Sequence, residues 1–97
     1  MITSFGDKAT EDIYNGINSK EARKIPSQIW KVASRKLDMV NNAYSLQDLL
    51  VPPGNRLEAL KGNMTGLHSI RVNDQYRIVF KWLNNNAENV RILDYHD

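Results

Sequence analysis

Four residues of this 97-residue chain form a group that could carry acid–base chemistry. Asp94, Tyr95 and His96 are consecutive near the C-terminus, and Arg77 lies on the strand predicted just before them. An imidazole titrates near neutral pH, so His96 can take or give a proton beside an orienting carboxylate and a phenol. Polar chain ends are more often solvated and inert. The position of Arg77 favours a functional role for this cluster over an inert chain end, because Arg77 lies on the outward side of a strand whose other face is apolar.

Further cations strengthen that interpretation, since Arg71 and Lys61 could join Arg77 beside the terminal cluster. Fixed cations suit phosphate chemistry. When a ribose 2′-OH attacks the adjacent phosphorus, negative charge builds on the phosphoryl oxygens, and losing one stabilising group typically costs about 10²–10³ in rate. The substrate carries its own nucleophile, so metal-free RNA cleavage is the chemistry predicted. The alternative is that each arginine is a surface charge or a structural partner of Asp74 or Glu88.

Composition limits the other classes of function. The chain has no cysteine and two histidines, without an HxxxH pair or a carboxylate cluster, so we expect no disulfide, metal or cofactor. An apolar fraction of 41% and a charged fraction of 25% are typical of a soluble globular protein, and the length allows one domain, residues 1–97. No apolar run approaches the roughly 18–20 residues of a membrane span, and no signal-peptide core is present. The expected location is the cytoplasm.

Two helices are predicted in the N-terminal half. The first follows Asp7, which can cap it. Its apolar face consists of Ala9, Ile13 and Ile17. The second begins near Pro26 and has a clear apolar stripe. That stripe consists of Ile29, Val32, Ala33, Leu37 and Val40. The opposite face carries three cations, Lys31, Arg35 and Lys36. A further turn capped by Ser45 and a loop stiffened by two prolines, residues 51–56, are expected to follow.

Alternating apolar residues predict the strands. They are expected at residues 1–5, 67–72, 76–82 and 89–95, with a short extended piece at 57–61. The order β-α-α-β-β-β indicates an α+β fold, with two helices packed on one face of a small, mainly antiparallel sheet. His68 alternates with Ile70 and Val72, so it is predicted to be a half-buried, hydrogen-bonded structural histidine.

Four segments of the sequence resemble the HigB branch of the RelE/ParE superfamily of bacterial type II toxins. They are Lys36–Met39, Pro52–Gly62 (PPGNRLEALKG), His68–Ile78 (HSIRVNDQYRI) and Asp94–His96. The resemblance covers essentially the whole chain and implies the compact RelE-like α+β domain. It also implies cleavage of mRNA in the A site of the 70S ribosome without a metal. The implied partner is a HigA-type helix-turn-helix antitoxin, through which the complex would reach operator DNA.

The resemblance also implies residue roles. His96 would be the acid/base and Arg77 would stabilise the scissile phosphate. The other catalytic positions would be Asp94, Tyr95 and Lys61, with Arg71 as a further cation. The basic helix face would bind ribosomal RNA through phosphate contacts, which give affinity without sequence preference. Its residues are Lys31, Arg35 and Lys36.

Two other functions remain open on the sequence alone. One is a non-enzymatic inhibitor of DNA gyrase in the style of the ParE branch. The ending Asp94–His96 argues against it, because such an inhibitor needs no acid/base there. The other is a protein that binds an antitoxin and assists repression without nuclease activity.

Overall fold

The computed structural model describes residues 1–95 and contains two α-helices and a four-stranded antiparallel sheet. The helices are α1 (Lys8–Tyr14) and α2 (Trp30–Asn42). The strands are β1 (Glu58–Ala59), β2 (Leu67–Arg71), β3 (Tyr76–Leu83) and β4 (Asn86–Asp94), and they pair in that order. The α+β prediction is confirmed. None of the helices within residues 1–95 is long and apolar enough to cross a bilayer.

The first predicted strand is wrong in detail. Residues 1–5 form only two isolated parallel bridges with β4, Ile2 to Ala87 and Phe5 to Val90. Between those two partners, Asn89 adopts a left-handed backbone with φ of 53°. Such a residue interrupts the regular pleat of a strand. The N-terminal segment therefore lies along β4 without forming a continuous strand.

Local signals account for the helix boundaries. Asp7 Oδ1 accepts a hydrogen bond from the Thr10 amide at 2.8 Å, as a helix N-cap does. The helix α1 ends at Tyr14, so Ile17 lies beyond it and is 50% exposed instead of continuing the apolar face. The helix α2 begins at Trp30, one turn later than predicted, because residues 27–29 form a 3₁₀ turn after Pro26.

The core lies between the two helices and the side of the sheet that faces them. Its fully buried aliphatic and aromatic side chains include Leu37, Val40, Ile70, Ile78, Phe80 and Val90. Burial of each such side chain stabilises the fold by about 1.5–3 kcal/mol relative to exposure. The opposite face of the sheet carries the polar residues Ser69, Arg71 and Arg77.

Lys36 contradicts the prediction of an exposed basic face on α2. It is only 7% exposed, and its Nζ donates a hydrogen bond to Asn55 Oδ1. The reason is helix geometry, since Lys36 is three residues after the buried Ala33 and four before the buried Val40. Lys31 and Arg35 are exposed, as predicted.

Asp12 is a buried carboxylate on α1 that makes stability depend on pH. Ser19 Oγ donates to its Oδ2 at 2.6 Å and Lys8 Nζ lies 3.1 Å from its Oδ1. These contacts, chiefly the Ser19 hydrogen bond, hold the pKa of Asp12 below its ordinary value of 3.8. The stability that its ionisation contributes is therefore fully present above the ordinary pKa and is lost as pH falls through the lower folded pKa.

We expect the free energy of unfolding to differ between the wild type and Asp12→Asn by a constant amount above about pH 5, and by less at lower pH. Urea denaturation of both proteins at a series of pH values measures this difference. A difference that stays constant down to pH 2 would contradict the assignment.

Candidate functional site

Arg77 is buried on the sheet face opposite the helices and is held in a fixed orientation. It is 8% exposed. Its Nε donates to Ser69 Oγ at 2.8 Å, and one terminal nitrogen donates to the main-chain carbonyl of Arg56 at 2.6 Å. The other terminal nitrogen lies 3.5 Å from Glu58 Oε1. The sequence predicts Arg77 on this face but does not predict that it is covered.

Strand register explains the first of these contacts. Arg77 pairs with Arg71 on β2, and Ser69 lies two residues along β2 on the same face. Such diagonal neighbours are within reach of a long side chain. Glu58 on β1 pairs with Ser69, which brings its carboxylate to the same face.

The proline loop supplies the carbonyl that covers Arg77. Residues 53–55 form a 3₁₀ turn, and Arg56 ends it in a left-handed conformation with φ of 46°. A non-glycine residue adopts this region at an energetic cost, which surrounding contacts must offset. The bond from Arg77 to the Arg56 carbonyl is one such contact.

A cavity of about 220 Å³ lies over this guanidinium. Its charged lining consists of Arg56, Arg71, Arg77, Glu58 and Asp74. Three arginines against two carboxylates leave one formal positive charge. Arg71 pairs with Asp74, whose side chain is 96% exposed. The cavity therefore presents a polar, cationic surface on which an anionic group can bind.

Tyr95 closes one side of the same cavity. Its ring centroid lies 5.8 Å from Arg77 Cζ, within the range of a cation–π contact. Its backbone amide donates to the Gln75 carbonyl at 2.8 Å, which anchors the residue beyond the end of β4. Tyr95 is thus brought to Arg77, as the sequence predicts for these two residues.

Two other predicted site residues lie elsewhere. Asp94 pairs with Tyr76 and so faces the opposite side of the sheet from Arg77, where its carboxylate accepts a bond from Gln75 at 3.0 Å. Lys61 lies beyond β1 at the far end of the sheet. The residue before it, Leu60, donates its amide to the Leu67 carbonyl, and Leu67 pairs with Lys81, which is four residues, or about 13 Å, along β3 from Arg77. His96 lies outside the described residues.

Comparison with known proteins decides the family. A family model described as the RelE-like toxin of the type II toxin–antitoxin system HigB matches residues 3–96 of the chain. The chain belongs to the HigB-like toxin family. Toxin HigB-1 of Vibrio cholerae serotype O1 is 45% identical over 99% of this chain and 98% of that protein. This HigB-like protein is accordingly a toxin of a type II toxin–antitoxin system.

Solved structures of other toxins share the fold of this HigB-like toxin. The YoeB–YefM complex from Staphylococcus aureus superimposes with a TM-score of 0.60, at 18% identity, over 100% of this chain and 99% of that chain. The YoeB/ParE toxin from Agrobacterium tumefaciens gives 0.56 at 14% identity, over 99% and 100%. At such identities the likeness shows the fold alone.

Three residues of the site in this HigB-like toxin are not predicted from the sequence: Arg56, Glu58 and Ser69. All three lie in or next to segments that carry the family resemblance, but none was given a role. Arg56 carried no sequence signal, because it is left-handed and ends the 3₁₀ turn before β1. Glu58 begins β1, a strand of two residues that is too short to show a pattern of alternation. Ser69 did carry a signal, since it lies two residues from Arg71 on β2 and so shares its face of the sheet.

The prediction for His68 in this HigB-like toxin is confirmed for its burial but not for the hydrogen bonding of Nδ1. It is half-buried and stacks on Phe80 with ring centroids 6.4 Å apart. Its Nδ1 is buried and finds no hydrogen-bond partner within residues 1–95, where the sequence predicts a bonded histidine. His68 lies on the helix side of the sheet and is not part of the cavity.

Proposed function

We propose that this toxin is a ribosome-dependent endoribonuclease that cleaves mRNA in the ribosomal A site. The observation that carries the proposal is the guanidinium of Arg77, fixed beneath a cationic cavity with the Glu58 carboxylate on its wall. Fixed charges stabilise a transition state without reorganising during the reaction. The family membership supports the same reading, because the toxin family is generally one of ribonucleases.

The geometry suits attack by the ribose 2′-OH. The Nε and one terminal nitrogen of Arg77 are engaged by Ser69 and Arg56, which leaves the terminal nitrogen that faces Glu58 for a phosphoryl oxygen. The Glu58 carboxylate accepts the 2′-OH proton as the new bond from 2′-O to phosphorus forms. The bond from phosphorus to 5′-O then breaks. His96, the acid/base implied by the resemblance, protonates the leaving oxygen. The products are a 2′,3′-cyclic phosphate and a 5′-OH.

Binding to the ribosome is assigned to exposed cations. Lys31 and Arg35 are exposed on α2 and can contact ribosomal RNA phosphates. Lys36 is excluded from this role because it is buried. The neutralising partner proposed is a HigA-type helix-turn-helix antitoxin. The Staphylococcus aureus relative, solved as a YoeB–YefM complex, supports an antitoxin partner in general.

The test is induced expression of the wild type and His96→Ala in cells without antitoxin, with transcriptome-wide mapping of new 5′ ends. We expect the wild type to stop growth and to produce 5′-OH ends inside translated codons, and His96→Ala to do neither. Growth arrest with intact mRNA would refute the nuclease. An SOS response with gyrase-dependent DNA breakage would instead support the inhibitor of the ParE type.

A further inference from the structure

A buried lysine on α2 is bonded to the proline loop. Lys36 is 7% exposed and Asn55 is fully buried, and Lys36 Nζ donates to Asn55 Oδ1. Burial lowers the pKa of Lys36, with a smaller contribution from the neighbouring Arg35. Placing an ammonium group in such a position is costly unless a hydrogen bond compensates. A residue of this kind calls for an explanation other than packing.

Asn55 uses its whole side-chain amide to tie three parts of the chain together. Its oxygen accepts from Lys36 on α2, and its Nδ2 donates to the carbonyls of Leu49 at 3.2 Å and Val51 at 3.4 Å. Its backbone amide donates to the Pro52 carbonyl at 2.9 Å. The Asn55 side chain therefore links the loop both to α2 and to the segment that precedes the loop.

The next residue along the loop is the one that holds Arg77. Arg56 is left-handed, and its carbonyl accepts from the Arg77 guanidinium at 2.6 Å. Arg56 also lines the cavity. Two successive contacts thus connect Lys36, on the helix side of the sheet, with the guanidinium on the other side.

We propose that Lys36 and Asn55 are positioning residues for the active site, because their bond fixes the Arg56 carbonyl that orients Arg77. The proposal rests on the proposed nuclease function. Neither residue touches the cavity. Their effect on cleavage passes through the orientation of Arg77 and the placement of Arg56. A methionine at position 36 fills nearly the same space without a charge, so it separates packing from positioning.

The experiment compares Lys36→Met with the wild type and with Lys24→Met, a matched control at an exposed lysine remote from the cavity. The first measurement is the NMR signal of the Arg77 Nε–H, which reports its bond to Ser69 directly. We expect Lys36→Met to shift or broaden that signal and Lys24→Met to leave it unchanged. The second measurement is ribosome-dependent cleavage of a reporter mRNA. We expect kcat to fall about 10-fold to 100-fold in Lys36→Met with KM little changed, as for a misplaced catalytic group.

Asn55→Ala breaks the same bond from the other side. We expect the double variant to lose little more than Asn55→Ala alone, because residues in one network are not additive. If Lys36→Met does not fold, Asn55→Ala decides the question by the same two measurements. An unchanged Arg77 signal and an unchanged kcat in a folded variant would overturn the proposal. Absence of cleavage by the wild type would refute the nuclease instead, while the Arg77 signal would still test the positioning.

Discussion

Arg77→Lys is expected to lower the rate of ribosome-dependent mRNA cleavage by about 10²–10³-fold. The guanidinium makes three directed contacts at once, to Ser69, the Arg56 carbonyl and Glu58. An ammonium group keeps the charge but has no planar fork, so it cannot hold these partners and also face a phosphate. Single-turnover cleavage of a programmed ribosome complex, with toxin in excess, measures the chemical step.

The same substitution should also destabilise the protein. Ser69 Oγ and the Arg56 carbonyl would lose their donor in a buried setting, and an unsatisfied buried polar group costs about 1–3 kcal/mol. Urea denaturation measures this loss, and cleavage must be assayed where the variant is fully folded. Arg23→Lys is the matched control, because Arg23 is exposed and does not line the cavity. If a folded Arg77→Lys protein cleaves at the wild-type rate, Arg77 has a structural role and does not contribute to the chemical step.

Features of the fold that arise from local pattern were predictable. The apolar stripe of α2, the Asp7 cap of α1 and the alternation in β3 each depend on neighbours within a few residues. The capping of the turn after α2 is another case, because the Ser45 side chain and the Asp48 carboxylate bond each other's backbone amides. The strands pair in the order in which they occur in the chain, because short connections join each strand to the next.

The features that were missed depend on contacts between distant segments. Lys36 was assigned to solvent from its charge, although its spacing from Ala33 and Val40 put it on the buried side. The position of Lys61 could not be predicted because β1 has only two residues and its register is set by pairing with β2. A left-handed Arg56 gives no sequence signal comparable to that of glycine.

The site was therefore predicted in part. Arg77 and Tyr95 were expected together and are in contact, because both point to one face of adjacent strands. Asp94 was expected with them, but strict alternation along β4 puts it on the other face. The carboxylate that contacts Arg77 is instead that of Glu58, which comes from the opposite edge of the sheet. Strand order, and not distance along the chain, decides which carboxylate approaches the guanidinium.

Glu58→Gln tests that assignment, and its expected effect is a loss of about 10²–10⁴-fold in the single-turnover rate, the usual contribution of a positioned acid or base. Glutamine keeps the size of the side chain but cannot accept a proton at neutral pH. Binding of mRNA-programmed ribosomes should hold or become tighter, because the cavity loses its nearest negative charge to Arg77. Glu58 is half exposed, so its ion pair adds at most about 1 kcal/mol and the variant should stay folded.

Two matched variants separate proton transfer from orientation of Arg77. Asp74→Asn removes the other carboxylate of the cavity, which is almost fully exposed and paired with Arg71, and it should cost far less in rate than Glu58→Gln. Glu11→Gln, at an exposed position on α1, should cost nothing. If Glu58 only oriented Arg77, the amide oxygen of glutamine would still accept from the guanidinium, and the rate would change little. A small loss in Glu58→Gln, equal to that in Asp74→Asn, would therefore refute the role of Glu58 as the base.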